Sequence, residues 1–138
     1  VPAAAIEKNV KDGTDPGFPV VEGDGRSVYR ALLNLVKNAF EAFDNNVSQA
    51  KITIRARIKD DERYEIVVED NACGMPEEVK ARLFEAFFST KGKRGTGLGL
   101  MVVARTVKMH GGTVKVESMA GVGTKFILTL RRIFPKPQ

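Results

Sequence analysis

Asn34, Asn38 and Glu41 stand at i, i+4 and i+7, a spacing that gathers them into one polar stripe if the stretch is helical. An asparagine on a helix wall offers a carbonyl oxygen, the hard donor that Mg²⁺ takes. The same stripe is also what the solvated edge of an amphipathic helix looks like. Further on, Val67-Val68-Glu69-Asp70-Asn71-Ala72-Cys73-Gly74-Met75 puts a carboxylate at the end of an apolar run, with a glycine close behind. An aspartate at a strand end can accept a hydrogen bond from a ligand amine held against the sheet, and if buried and ionised it needs such a partner. An ordinary loop has the same composition. Gly95-Thr96-Gly97-Leu98-Gly99-Leu100 opens a second helical pattern, where glycines let backbone N–H groups approach phosphate oxygens at a helix N-terminus. Lys91, Lys93 and Arg94 precede it with full positive charges. It lacks the GK[ST] ending of a Walker A loop and follows no strand, as a dinucleotide loop would. Gly121-Val122-Gly123-Thr124 reads, taken singly, as a hairpin turn.

These groups need elements to hold them. A capped helix is predicted from Asp24 or Ser27 to about Phe43, because Val28, Leu32, Leu35, Val36, Ala39 and Phe40 recur at helical spacing. Ile52, Ile54, Ala56 and Ile58 alternate with Thr53, Arg55, Arg57 and Lys59, the pattern of a half-buried strand. Tyr64 to Glu69 is its expected hairpin partner. Pro76 suits the first position of a short helix, with Glu77 and Glu78 at the positive end of its dipole. Leu100 to His110 is a helix stopped by Gly111. Strands Thr113 to Ser118 and Thr124 to Leu130 follow, and residues 3–9 form a further edge strand.

The 138 residues fit one domain, with 43% hydrophobic and 28% charged content typical of a globular chain. Its opening on Val1 suggests a piece excised from a longer protein. No apolar run approaches the ~18–20 residues of a membrane span. One cysteine, Cys73, and one histidine, His110, leave no set for an internal disulfide or a zinc site. The net charge of +5 favours an anionic partner. The basic residues lie scattered, without the interleaved aromatics of a base-stacking surface, so nucleic acid is not expected.

Taken together and in order, the motifs resemble those of histidine-kinase ATP-binding domains and their relatives among the Hsp90, MutL and gyrase ATPases. Leu32 to Ala39 resembles the N box and Asp70 to Met75 the G1 box. Leu83 to Lys91 is similar to the F box, Gly95 to Leu100 to the G2 box, and Gly121 to Thr124 to the final Gly/Thr motif. The resemblance covers roughly residues 20–130. It implies an α+β, two-layer α/β sandwich of the Bergerat type, with a mixed, mostly antiparallel sheet covered on one face by helices. It implies ATP and Mg²⁺ as cofactors, with Asn38 as the metal ligand and Asp70 reading the adenine amino group. Thr124 would stand behind the base. Further nucleotide contacts fall on Glu41, Ala42, Gly74, Met75, Lys91, Gly95, Thr96, Gly97, Leu98, Gly99 and Leu100. Residues from about Gly74 to Gly95 would form a lid anchored by Phe84, Phe87 and Phe88. Ala72 departs from the family pattern, which has a glycine there; its methyl is small, and nucleotide binding is expected to survive.

By the same resemblance the related ATPases carry a glutamate one helical turn before the Mg²⁺ asparagine, as general base on water. Here that place is taken by Asn34, whose amide takes no proton at neutral pH. The expected reaction is therefore transfer of the γ-phosphate to a histidine on a separate dimerisation domain, in two-component signalling, with Asn34 and Lys91 as catalytic candidates. His110 lacks the acidic neighbour of a phosphoacceptor motif and reads as a helix-end residue. The alternatives are an Hsp90/MutL-type ATPase, in which Glu41 would matter, and an anti-sigma-type serine kinase. The expected setting is cytoplasmic, open to a parent kinase anchored in the inner membrane. A response regulator would be an indirect partner, and the isolated domain is expected to be monomeric.

Overall fold

The computed structural model describes residues 4–10 (backbone only), 23–43, 49–85 and 99–133. Its elements run β1 (Ala4–Val10), α1 (Gly25–Ala42), β2 (Ala50–Ile58), β3 (Arg63–Asp70), α2 (Glu77–Lys80), α3 (Gly99–Met109), β4 (Thr113–Met119) and β5 (Gly123–Arg131). The strands make one sheet in the order β1-β2-β3-β5-β4, with β1 parallel to β2 and every other pair antiparallel. The mixed, mostly antiparallel sheet is the one the motifs imply.

Alternation along the strands decides which face is covered. Ile54, Ala56 and Ile58 stand opposite Val68, Ile66 and Tyr64, which in turn stand opposite Phe126, Leu128 and Leu130. Val116 and Val114 continue the same rows onto β4. This apolar face meets Ala31, Leu35 and Ala39 of α1, spaced four apart, and Val103 and Val107 of α3. Leu35 and Leu128 keep 1% of their surface, and Ile52, Val103 and Leu130 none. The opposite face carries ion pairs between neighbouring strands, including Arg57–Glu65 at 2.7 Å, Arg55–Glu69 at 3.4 Å and Lys125–Glu69 at 3.7 Å.

Local chemistry fixes where the helices begin and end. Asp24 caps α1, its carboxylate accepting from the Arg26 and Ser27 amides and from the Ser27 hydroxyl. At the far end of α3, Gly112 N–H reaches the Val107 carbonyl and Gly111 N–H that of Lys108, with Gly111 at φ 67°. Pro76 differs from expectation by one place: it is the N-cap of α2, extended at φ −71°, ψ 163°, and Glu77 is the first helical residue.

His110 does more than end α3. Fully buried, its Nδ1 lies 2.8 Å from the Thr106 carbonyl and its Nε2 accepts the Asp24 N–H at 3.0 Å. A carbonyl cannot donate, so Nδ1 carries a proton and Nε2 serves as the acceptor. The imidazole thus ties the end of α3 to the start of α1. With both nitrogens engaged and no exposed surface, it has no atom to offer a phosphoryl group.

Truncating Leu35 to Ala should cost about 2–5 kcal/mol of stability, read from the urea midpoint at unchanged m. Leu33→Ala, on the exposed side of the same turn, should stay within about 0.5 kcal/mol of the parent.

Candidate functional site

At one end of the covered face the apolar rows give way to polar residues. Ile52, Asp70, Thr124 and Ser118 stand opposite one another in succession across β2, β3, β5 and β4. Asp70 is therefore on the core side of the sheet, where the next row inward holds Val68 and Phe126. Its Oδ1 accepts the Ala72 N–H at 3.0 Å and the Thr124 N–H at 3.3 Å. Among the described residues, Oδ2 accepts from none. Burial raises the Asp70 pKa above its ordinary 3.8, and the neighbouring Glu69 charge adds to this, against the two peptide N–H groups that favour the ionised form. A half-dry carboxylate with one oxygen held and the other unclaimed is a strong acceptor for a ligand N–H.

The turn after Asp70 is pinned to the β4–β5 hairpin. Gly74 has φ 67°, and a Cβ there would run into the Met119 carbonyl. The Cys73 carbonyl accepts the Gly121 N–H at 2.6 Å. Met75 N–H donates to Ser118 Oγ at 2.9 Å, and Ser118 Oγ lies 2.8 Å from Thr124 Oγ1 and 3.1 Å from the Gly123 carbonyl. Gly123 passes so close to Asp70 that a Cβ would meet its carbonyl. Ala72, where the family has glycine, turns its methyl into the core with 3% exposed. The side chain of Asn71 extends the sheet: Oδ1 accepts the Lys51 N–H at 2.8 Å and Nδ2 donates to the Gln49 carbonyl at 2.7 Å. Ser118 and Asn71 were not singled out by sequence reasoning. The signal for Ser118 lay in counting back across the hairpin, which puts it opposite Thr124.

On α1, Asn34 donates through Nδ2 to the Gly99 carbonyl at 3.2 Å, tying α1 to the first residue of α3. Asn38 and Ala42 are half-buried and Glu41 is exposed. Leu100 and Phe84 pack against the core. Lys91, Gly95, Thr96, Gly97, Leu98, Phe87 and Phe88 lie outside the described residues. The structure thus joins Asp70, Met75 and Thr124 in one hydrogen-bonded unit, with Gly74 packed on the Met119 carbonyl beside it, and Asn34 with Gly99 in another. Cys73 is exposed beside the first unit. A groove of about 280 Å³ between α1 and α3, flanked by Arg30 and Arg105, includes Asn34 but neither Asp70 nor Thr124.

Residues 23–133 match the family model of histidine kinase-, DNA gyrase B- and HSP90-like ATPases, and the chain belongs to that family as a catalytic, ATP-binding domain of the sensor histidine kinase type. It is similar to sporulation kinase C of Bacillus subtilis, 37% identical over 129 residues that cover 91% of this chain and 27% of the relative. Against the sensor protein FixL of Bradyrhizobium diazoefficiens it is 34% identical over 130 residues, 93% of this chain and 25% of FixL. The chain spans about a quarter of the length of these relatives. Among solved structures it resembles the catalytic domain of histidine kinase ThkA, with TM-score 0.72 and 30% identity over 93% of this chain and 81% of that one. Full-length ShkA in complex with AMPPNP matches at TM-score 0.77 and 28% identity, over 96% of this chain and 27% of that one. No helix among the described residues is long and apolar enough to cross a membrane.

The raised carboxyl makes a stability prediction. The folded state holds the Asp70 proton more tightly than the unfolded chain, so stability falls as pH rises from 3.8 through the raised pKa. Asp70→Asn keeps an acceptor at Oδ1 and removes the buried charge. Its melting temperature without nucleotide should therefore exceed the parent's at pH 7, and the gap should close below pH 3.8. A lower melting temperature at pH 7 would contradict this.

Proposed function

We propose that this domain binds Mg-ATP, with Asp70 reading the adenine amino group, and transfers the γ-phosphate to a histidine on a separate dimerisation domain. The observation that carries the reading is the Asp70 carboxyl itself, half-buried, with Oδ1 bonded to two peptide N–H groups and Oδ2 accepting from no described residue. Thr124, next to it in the same row, lines the back of the base site. Gly74 and Met75 hold the near edge.

Asn38 suits Mg²⁺ by its chemistry: a half-buried amide presents a hard oxygen, and no cluster of acids for an all-protein cage exists among the described residues. Such a donor fits the mode in which Mg²⁺ takes one or two protein oxygens beside phosphate and water. Bound there, the ion would neutralise charge on the phosphates. Asn34, an amide donating to Gly99, positions the start of α3 and abstracts no proton from water. Catalysis then rests on positioning and charge neutralisation, with Lys91 and the backbone of Gly95 to Leu100 as phosphate contacts. Glu41 and Ala42, one turn beyond Asn38, border the same end of α1. The nucleophile comes from outside, in line with the γ-phosphate.

The partner is the histidine-bearing helical hairpin of the parent kinase, with a response regulator downstream. The domain works in the cytoplasm as one 138-residue unit that is monomeric when isolated.

Titration with an ATP analogue tests the pocket. Asp70→Asn removes a charge-assisted hydrogen bond of about 1.5–3 kcal/mol, a loss of roughly ten- to hundredfold in affinity. Parent affinity should also fall as pH drops through the raised Asp70 pKa, since the ionised carboxylate is a stronger acceptor for the amine than the protonated acid. Unchanged binding by Asp70→Asn would end the assignment. Asn38→Ala should abolish phosphotransfer to a supplied histidine-bearing hairpin and remove the Mg²⁺ dependence of nucleotide binding. Steady ATP turnover by the domain alone, lost in Glu41→Gln, would instead favour the ATPase reading.

A further inference from the structure

We propose that Ser118 sets which purine the site accepts, by fixing the direction in which the Thr124 hydroxyl points its proton. The inference rests on the reading that Asp70 and Thr124 face the base.

The argument is a proton count at one oxygen. Ser118 Oγ has three neighbours within hydrogen-bonding distance: the Met75 N–H at 2.9 Å, the Gly123 carbonyl at 3.1 Å and Thr124 Oγ1 at 2.8 Å. A hydroxyl has one proton and two lone pairs. The Met75 N–H can only donate, so it occupies one lone pair. The Gly123 carbonyl can only accept, so it takes the Ser118 proton. One lone pair remains for the contact with Thr124, and that contact is a hydrogen bond only if Thr124 supplies the proton. The Thr124 hydroxyl is thereby turned toward Ser118, and its lone pairs are left as the groups it can offer elsewhere. Thr124 is 8% exposed, so bulk water offers little competition for that proton.

The consequence is that both groups beside the base present acceptors. Asp70 has only acceptors when ionised, and Thr124 has lost its choice. At the 6-position a 6-amino purine brings N–H donors and satisfies them; a 6-oxo purine brings an acceptor there, its donor on that edge displaced to N1, and leaves acceptor facing acceptor at the 6-position. The polarity bears on a base that Thr124 meets directly, since a bridging water that donates to Thr124 keeps one proton and its lone pairs and could face the base either way. Ser118 is a positioning residue here and touches no nucleotide atom.

The test compares ATP with inosine triphosphate, by competition against a fluorescent ATP analogue, on the full 138-residue chain. The parent should prefer ATP. In Ser118→Ala the Thr124 hydroxyl is released and can donate to the 6-oxo oxygen, so the preference should narrow by roughly three- to tenfold, the worth of one neutral hydrogen bond. In a Thr124→Val background no hydroxyl remains to turn, and Ser118→Ala should leave the preference unchanged. Ser118→Thr should restore the parental ratio. A purely structural role would weaken both nucleotides by one factor and leave the ratio alone; that result overturns the proposal, as does the same narrowing in the Thr124→Val background. If Ser118→Ala does not fold, Ser118→Cys, with its weak S–H donor and acceptor, takes its place with the same expected narrowing. Loss of ATP binding in Asp70→Asn with no change of ratio in the Ser118 variants refutes this inference alone. Unaltered binding in Asp70→Asn refutes the reading beneath it.

Discussion

A negative charge kept half out of water organises this end of the molecule. Asp70 sits on the face of the sheet that otherwise holds the core, one row beyond Val68 and Phe126. An ion in that position is tolerated only because peptide N–H groups are brought to it. One comes from the turn that follows, at Ala72, and one from Thr124 on the adjacent strand. The turn must bend back sharply to deliver the first, and β5 must begin beside Asp70 to deliver the second. Both conditions are met by glycine: Gly74 lets the turn lie against the Met119 carbonyl, and Gly123 lets β5 pass over the Asp70 carbonyl. The local geometry of three elements follows from seating one carboxylate.

The core and the site divide the same face of the sheet between them. Rows of Ile, Val, Leu and Phe meet α1 and α3 over most of its length, and the last row changes to Asp70, Thr124 and Ser118. That boundary is where a ligand with one flat apolar surface and a polar edge gains most, since it continues the core on one side and satisfies acceptors on the other. Under the proposed function that ligand is the adenine of ATP, and residues 23–133 match a family of ATPases. Among the described residues the opposite face, laced by Arg–Glu and Lys–Glu pairs, has no comparable boundary.

Much of this was legible in the residues because their periods are strong. The alternation from Ile52 to Lys59 and the helical spacing from Val28 to Phe40 each fixed a face, and the elements appear within a residue or two of where those patterns end. Asp24 was readable as a cap and Gly111 as a stop because each has a local reason to be there. Asp70 and Thr124 were legible as motif members, but their adjacency was not: it depends on β5 pairing with β3, fifty-four residues apart in sequence. Ser118 was hidden for the same reason. A serine ending a strand has many uses, and only the register of the hairpin with β3 makes it a hub. His110 was read as a helix-end residue; its tie to Asp24 spans 86 positions, and no local pattern encodes that.

That tie, together with the Asn34–Gly99 bond, fastens α1 and α3 at two separate places along their length. Two rods joined at one point can pivot, and joined at two they can neither pivot nor slip. The helix pair is therefore a single lever: whatever displaces the first turn of α3 is felt at once along α1, on the wall that carries Asn38. Under the proposed function, phosphate contacts at one end of the lever and a metal ligand at Asn38 on its shaft would be adjusted by the same stroke.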